Sequence, residues 1–153
     1  MLSNIRSLKG DDYSQATQLI SDVTKSRTFK DLTFDYKTTF KNIERLSNEE
    51  NSLSIGYFNK QVLEGVAIFT VVPSLCDDKD KKLVELAWDI SPSIKSKIKK
   101  GRIMVTLFNR VMDYFKGSVN SIYLSVPLNS TINNFLIKKG FRQVDILYQK
   151  GVI

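Results

Sequence analysis

Apolar positions along the 153-residue chain fall into helical and alternating spacings, divided by short polar or glycine-containing breaks. Asn4 to Leu8 predicts a short strand, ended by Lys9-Gly10. Ala16, Leu19, Ile20 and Val23 then recur at the spacing of one helical face, and Asp11 and Asp12 stand at the helix end whose dipole favours acids. A second helix, capped by Asp35, carries Tyr36, Phe40, Ile43 and Leu46 on one side and closes at Ser47-Asn48-Glu49-Glu50-Asn51. Leu53, Ile55 and Tyr57 alternate as a strand. The turn-prone Asn59-Lys60 joins it to a β-branched and aromatic run from Val62 to Val72, which predicts an antiparallel hairpin.

After a charged loop, Leu83 to Ile90 forms a third strand of this region, with Glu85 and Asp89 expected on one face and Val84, Leu86, Trp88 and Ile90 on the other. Pro92 ends that strand. A basic stretch of Lys95, Lys97, Lys99, Lys100 and Arg102 leads into a long helix expected from about Gly101 to Phe115, with Ile103, Leu107, Phe108 and Val111 buried and Gly117 as its stop. Ile122, Leu124 and Val126 alternate in another strand. Asn129 can cap a helix containing Ile132, Phe135 and Leu136, and Gly140 ends it before a last strand from Phe141 to Tyr148. The order β-α-α-β-β-β-α-β-α-β predicts one α/β domain over residues 1–153, a mixed sheet covered by helices.

Composition narrows the chemistry. There is no His and one Cys, Cys76, so an internal disulfide, a Cys/His zinc site and a His-based triad are excluded. Acids at Asp77 and Asp78 would raise the Cys76 thiol pKa, which argues against a nucleophile there. The formal charge of +7 favours polyanionic partners without choosing among them. Aromatic residues are not interleaved with the basic cluster, so nucleic-acid binding rests on charge alone. The N-terminus lacks a secretory pattern and no apolar run is long enough to span a membrane, which predicts a soluble intracellular protein.

The element order and three local patterns resemble the GNAT family of acetyl-CoA-dependent N-acetyltransferases. The patterns are Ile5-Arg6-Ser7-Leu8 with Asp12, the glycine-bearing Val62-Leu63-Glu64-Gly65-Val66-Ala67, and Asn129-Ser130-Thr131-Ile132-Asn133-Asn134-Phe135-Leu136-Ile137-Lys138-Lys139-Gly140-Phe141. The last is similar to the family's Asn-x-x-Ala-x-x-Phe-Tyr-x-Lys-x-Gly-Phe helix. The resemblance implies a twisted mixed sheet of about six to seven strands flanked by about four helices, covering nearly the whole chain.

It also implies a cofactor site in the strand-Pro-loop-helix unit from Leu83 to Phe115. There the family's glycine-rich loop brings backbone N–H groups to the coenzyme A diphosphate at a helix N-terminus. This chain keeps Gly101 from that loop and surrounds it with Lys97, Lys99, Lys100 and Arg102, which stand as candidate phosphate ligands; the same charges equally suit a solvated helix start. Ile90 is the candidate for main-chain polarisation of the acyl carbonyl, and Asn129 for a bond to a cofactor amide or, equally, a simple cap. Glu85 and Asp89 are candidate general bases, with surface carboxylates paired to lysines as the plainer alternative. Leu136 stands where many family members carry the tyrosine that protonates the leaving thiolate, and Ile132 where they carry a small residue.

Two functions therefore stay open. One is an acyl-CoA-dependent N-acetyltransferase acting on an amine-bearing small molecule or protein, in the cytoplasm. The other is a catalytically inactive GNAT-fold protein with protein partners or a homo-oligomeric state, for example a structural or interaction component of a phage particle. No metal is implied by either.

Overall fold

The computed structural model describes residues 4–26, 33–126 and 130–144. Strand β1 (Ile5–Ser7) is followed by helices α1 (Asp12–Ser26) and α2 (Tyr36–Ser47). Strands β2 (Ser52–Asn59), β3 (Val62–Pro73) and β4 (Lys81–Ile90) come next, and then α3 (Lys97–Phe115), β5 (Ser121–Tyr123) and α4 (Ile132–Lys138). The strands lie in the order β1-β2-β3-β4-β5, antiparallel from β1 to β4, with β5 parallel to β4. A parallel neighbour requires a crossover, and α3 supplies it.

The sheet thus has five strands among the described residues, fewer than the resemblance implied. Phe141 to Val144 lie outside any strand, and the rest of the expected closing strand lies outside the described residues. The strand expected over Ile122 to Val126 is also shorter, since extended pairing stops at Tyr123.

Local chemistry explains several helix ends. Asp35 caps α2 by accepting the Thr38 N–H at 2.6 Å. Gly117 and Gly140 follow α3 and α4 with φ of 78° and 90°, a left-handed backbone in which a side chain is disfavoured. Ser96 caps α3 by accepting the Lys99 N–H at 3.2 Å, so the helix begins at Lys97 and not near Gly101 as its sequence suggested. Gly101 is therefore a residue of the second turn, where it costs about 1 kcal/mol of helix propensity relative to Ala and is tolerated because the cap and the buried face hold the helix.

Two apolar layers cover the sheet. On one face α1 and α2 enclose Leu8, Tyr13, Leu19, Ile43, Leu63, Val66, Ile68 and Ala87. On the other, α3 and α4 enclose Ile55, Ala67, Phe69, Leu83, Trp88, Ile103, Leu107, Phe108, Val111 and Leu136. Gly65 sets how closely α3 approaches: a Cβ there would stand 2.7 Å from Ile103 Cγ2 and 2.9 Å from Ile90 Cδ1. The β1 end is tied down by Arg6, whose guanidinium lies 3.8 Å from the Phe58 ring centroid and forks onto the buried Asp12 carboxylate.

Candidate active site

The site begins where two parallel strands separate. β4 and β5 pair over Lys82↔Ser121, Leu83↔Ile122 and Val84↔Tyr123, and their paired register ends there although β4 continues to Ile90. Asn120 locks the joined end, its side chain accepting the Lys81 N–H at 2.9 Å while its own N–H donates to Lys81 O at 2.8 Å. At the opening, a side chain replaces the ladder: Glu85 Oε2 accepts the Ser125 N–H at 3.2 Å.

Main-chain polarity follows from the neighbouring pair. The Ser91 N–H donates to Glu64 O at 2.9 Å, which makes Ser91 and Glu64 a hydrogen-bonded pair next to the pair Ile90↔Gly65. Antiparallel pairs alternate, so the N–H and C=O groups of Ile90, and of Trp88 two residues earlier, point away from β3 toward the side on which β5 has departed. The gap lies at the carboxyl ends of parallel strands, the usual crevice of open α/β sheets.

The start of α3 stands beside this edge, since the virtual Cβ of Gly65 meets both Ile90 and Ile103. The first turn of α3 contains no acid and carries Lys97 and Lys99, with Lys100 following. Positive side chains at a helix N-terminus oppose the dipole, so their placement favours an anion there. Space is open around Gly101, where a Cβ would meet nothing within 4 Å. Cationic charge, N-terminal amides and a free flank together fit a diphosphate-bearing ligand such as a coenzyme A ester.

The structure corrects the placement expected of Glu85 and Asp89. Glu85 and Asp89 do not share a face. The pairs Phe69↔Glu85 and Ile68↔Ala87 leave Leu86 as an extra residue, a bulge that inverts the alternation. Glu85, opposite Phe69, faces the α3 and α4 layer; Asp89, opposite Val66, is buried on the α1 and α2 side. Leu86 is turned outward instead of into the core.

Other expected residues are also placed. Ile90 ends β4, and Lys97, Lys99 and Lys100 stand in the first turn of α3, followed by Gly101 and Arg102. Asn129 lies outside the described residues, and the position before α4 is Thr131, which makes no side-chain cap bond. Leu136 is buried in the α3 and α4 layer, so it offers no proton donor and acts as core. Trp88 Nε1 donates to Met104 O at 3.2 Å, and the Phe108 ring stands 5.5 Å from both Trp88 and Phe135 and 5.9 Å from Phe141. These rings belong to the α3 and α4 layer.

Glu64 was not visible as a site residue in the sequence. β3 bulges there, between Tyr57↔Gly65 and Phe58↔Leu63, and Glu64 Oε1 receives Lys99 Nζ at 2.8 Å and Asn59 Nδ2 at 3.2 Å. A charged residue interrupting the apolar alternation from Val62 to Val72 was its one signal. Two surface grooves lie elsewhere: one of about 570 Å³ beside Val71, Lys81 and Tyr114, the other of about 610 Å³ beside Lys9, Gln15 and Lys60.

Comparison with solved structures agrees with this architecture. A possible acetyltransferase from Clostridium difficile 630 superposes with a TM-score of 0.71 at 17% identity, over 97% of each chain. A predicted acetyltransferase with acetyl-CoA from Clostridium acetobutylicum gives 0.74 at 11% identity, over 96% of this chain and 94% of that one. The fold is that of the GNAT acetyltransferases. A transcriptional regulator from Bacillus halodurans C-125 gives 0.68 at 14% identity, over 97% of this chain and 98% of that one. No protein-family model and no curated protein matches the sequence. Among the described residues, no helix is long and apolar enough to cross a membrane and no side-chain cluster suits a metal ion.

Proposed function

We propose that this GNAT-fold chain binds an acyl-coenzyme A between β4 and β5 and transfers the acyl group to an amine. The observation that carries the reading is the early end of β4–β5 pairing, which turns the main-chain groups of Trp88 and Ile90 toward a gap beside the lysine-rich start of α3. Acetyl-CoA would supply an activated thioester. The lysines at the start of α3 and its first N–H groups would hold the diphosphate. The Ile90 N–H is oriented to donate toward a carbonyl oxygen in the gap, where a fixed dipole favours developing negative charge.

Of the two carboxylates, Asp89 is adjacent in sequence to Ile90 and Glu85 braces the opening through Ser125. We assign Asp89 the role of accepting a proton from the attacking amine, directly or through water, and Glu85 the role of holding the strands apart. Because Leu136 has no hydroxyl, protonation of the departing thiolate falls to solvent.

A second reading is favoured by the same Leu136: a GNAT-fold structural or interaction component that binds the ligand, or a protein partner, without turnover. Calorimetric titration with acetyl-CoA, paired with thiol release in the presence of amines, separates the two. Binding with thiol release supports the transferase; binding without release across small amines and peptides supports the second reading; no binding opposes a coenzyme A site in either.

A further inference from the structure

The α3 start carries a counter-charge that its own sequence does not supply. Glu64 reaches it from β3 because the bulge between Tyr57↔Gly65 and Phe58↔Leu63 adds one residue and re-aims the side chain. Its carboxylate receives the Lys99 ammonium at 2.8 Å and the Asn59 amide at 3.2 Å, while the Glu64 side chain is only 12% exposed and the Lys99 side chain 42%. The second carboxylate oxygen, Oε2, is buried with no hydrogen-bond partner. Leaving such an oxygen unpaired is costly, so the arrangement is kept by the bond that Oε1 makes.

We infer that Glu64 is a built-in counter-anion of the phosphate-binding cluster: it neutralises Lys99 in the unliganded chain and sets a ceiling on the affinity for an anionic ligand. The inference rests on the acyl-CoA reading and adds a control to its site. With no acid in the first turn of α3, Glu64 stands in for the negative charge that the helix dipole and the neighbouring lysines favour. The same charge opposes a diphosphate arriving at that place. A positioning residue of this kind is recognised by two effects of opposite sign: its neutralisation weakens the empty protein and strengthens anion binding.

The test measures acetyl-CoA and inorganic pyrophosphate binding by calorimetry, and melting temperature without ligand, for wild type, Glu64→Gln, Lys99→Met and the double variant. Glu64→Gln is expected to melt lower and to bind both probes about threefold to tenfold tighter at low salt, with the gain shrinking as salt screens the pair. The gain should shrink on the Lys99→Met background, where no lysine is released and only the repulsion by Glu64 is removed. Weaker or unchanged binding by Glu64→Gln, with wild type binding normally, overturns the inference, because a merely structural residue would lower stability and affinity together.

Wild type that binds neither probe while Glu64→Gln binds pyrophosphate counts against the acyl-CoA reading in the native chain but supports the counter-anion. Silence from both removes the two together. If Glu64→Gln does not fold, single Lys97→Met, Lys99→Met and Lys100→Met variants decide. The already neutralised Lys99 should cost the least affinity, and an equal or larger loss at Lys99 overturns the inference.

Discussion

Glu85 and Asp89, four residues apart on β4, stand on opposite faces of the sheet because Leu86 is inserted between the pairs Phe69↔Glu85 and Ile68↔Ala87. Strict alternation would have placed them together as a carboxylate pair. The bulge instead gives each a separate setting: Glu85 meets the Ser125 N–H where β4 and β5 part, and Asp89 is buried one residue before Ile90. Bulges of this kind re-aim side chains, and this one gives the two carboxylates of one strand the separate duties proposed above.

That division predicts different phenotypes for two conservative changes. Glu85→Gln should weaken its acceptance of the Ser125 N–H and lower stability by about 1 kcal/mol, while acyl transfer stays within a few-fold of wild type. Asp89→Asn should lower the transfer rate by about a hundredfold or more with little change in acetyl-CoA affinity. Urea unfolding and steady-state thiol release check the pair. Equal turnover losses in both would contradict the assignment.

Gly65 is a packing requirement between β3 and α3. A methyl group there would lie 2.7 Å from Ile103 Cγ2, 2.9 Å from Ile90 Cδ1 and 3.1 Å from Leu107 Cδ1. Gly65→Ala should destabilise the fold by about 1–3 kcal/mol, the usual cost of overpacking, and shift α3 away from Ile90. Gly101→Ala provides the contrast, since its added carbon meets nothing within 4 Å. That variant should gain up to about 1 kcal/mol of helix stability. Chemical denaturation of the two variants measures both effects.

The Arg6–Asp12 pair predicts a specific acid dependence. Burial pushes the Asp12 carboxyl upward, but the Arg6 guanidinium and the Lys9 N–H, donating at 3.0 Å, outweigh it and leave the carboxyl below its ordinary value of 3.8. A carboxyl depressed in the folded state adds stability above its unfolded pKa and loses it as pH falls toward and through the folded value. Stability should therefore drop below about pH 4, and Asp12→Asn should flatten that part of the curve. Unfolding free energies measured from pH 6 to pH 2 test this; an unchanged acid slope in Asp12→Asn would contradict it.

Much of this fold could be read from apolar spacing and punctuation. The hairpin, the Asp35 cap, the buried face of α3 and the glycines after α3 and α4 follow from local rules that the tertiary structure obeys. The site was harder to read because its geometry depends on departures from those rules. One extra residue at Leu86 separates Glu85 from Asp89, and another at Glu64 sends a carboxylate to Lys99; the first shift has no glycine or proline beside it, and Gly65 beside the second reads equally as a packing residue. The α3 start moved four residues upstream because a Ser96 cap bond outweighs the helix penalty at Gly101.

The central claim is that the β4 edge and the first turn of α3 hold an acyl-coenzyme A, and calorimetric titration of acetyl-CoA into the purified protein tests it most directly. Saturable one-to-one binding is predicted, weakening as salt rises and falling severalfold in Lys97→Met. A folded protein that gives no binding heat and no thermal stabilisation at millimolar acetyl-CoA would contradict the claim.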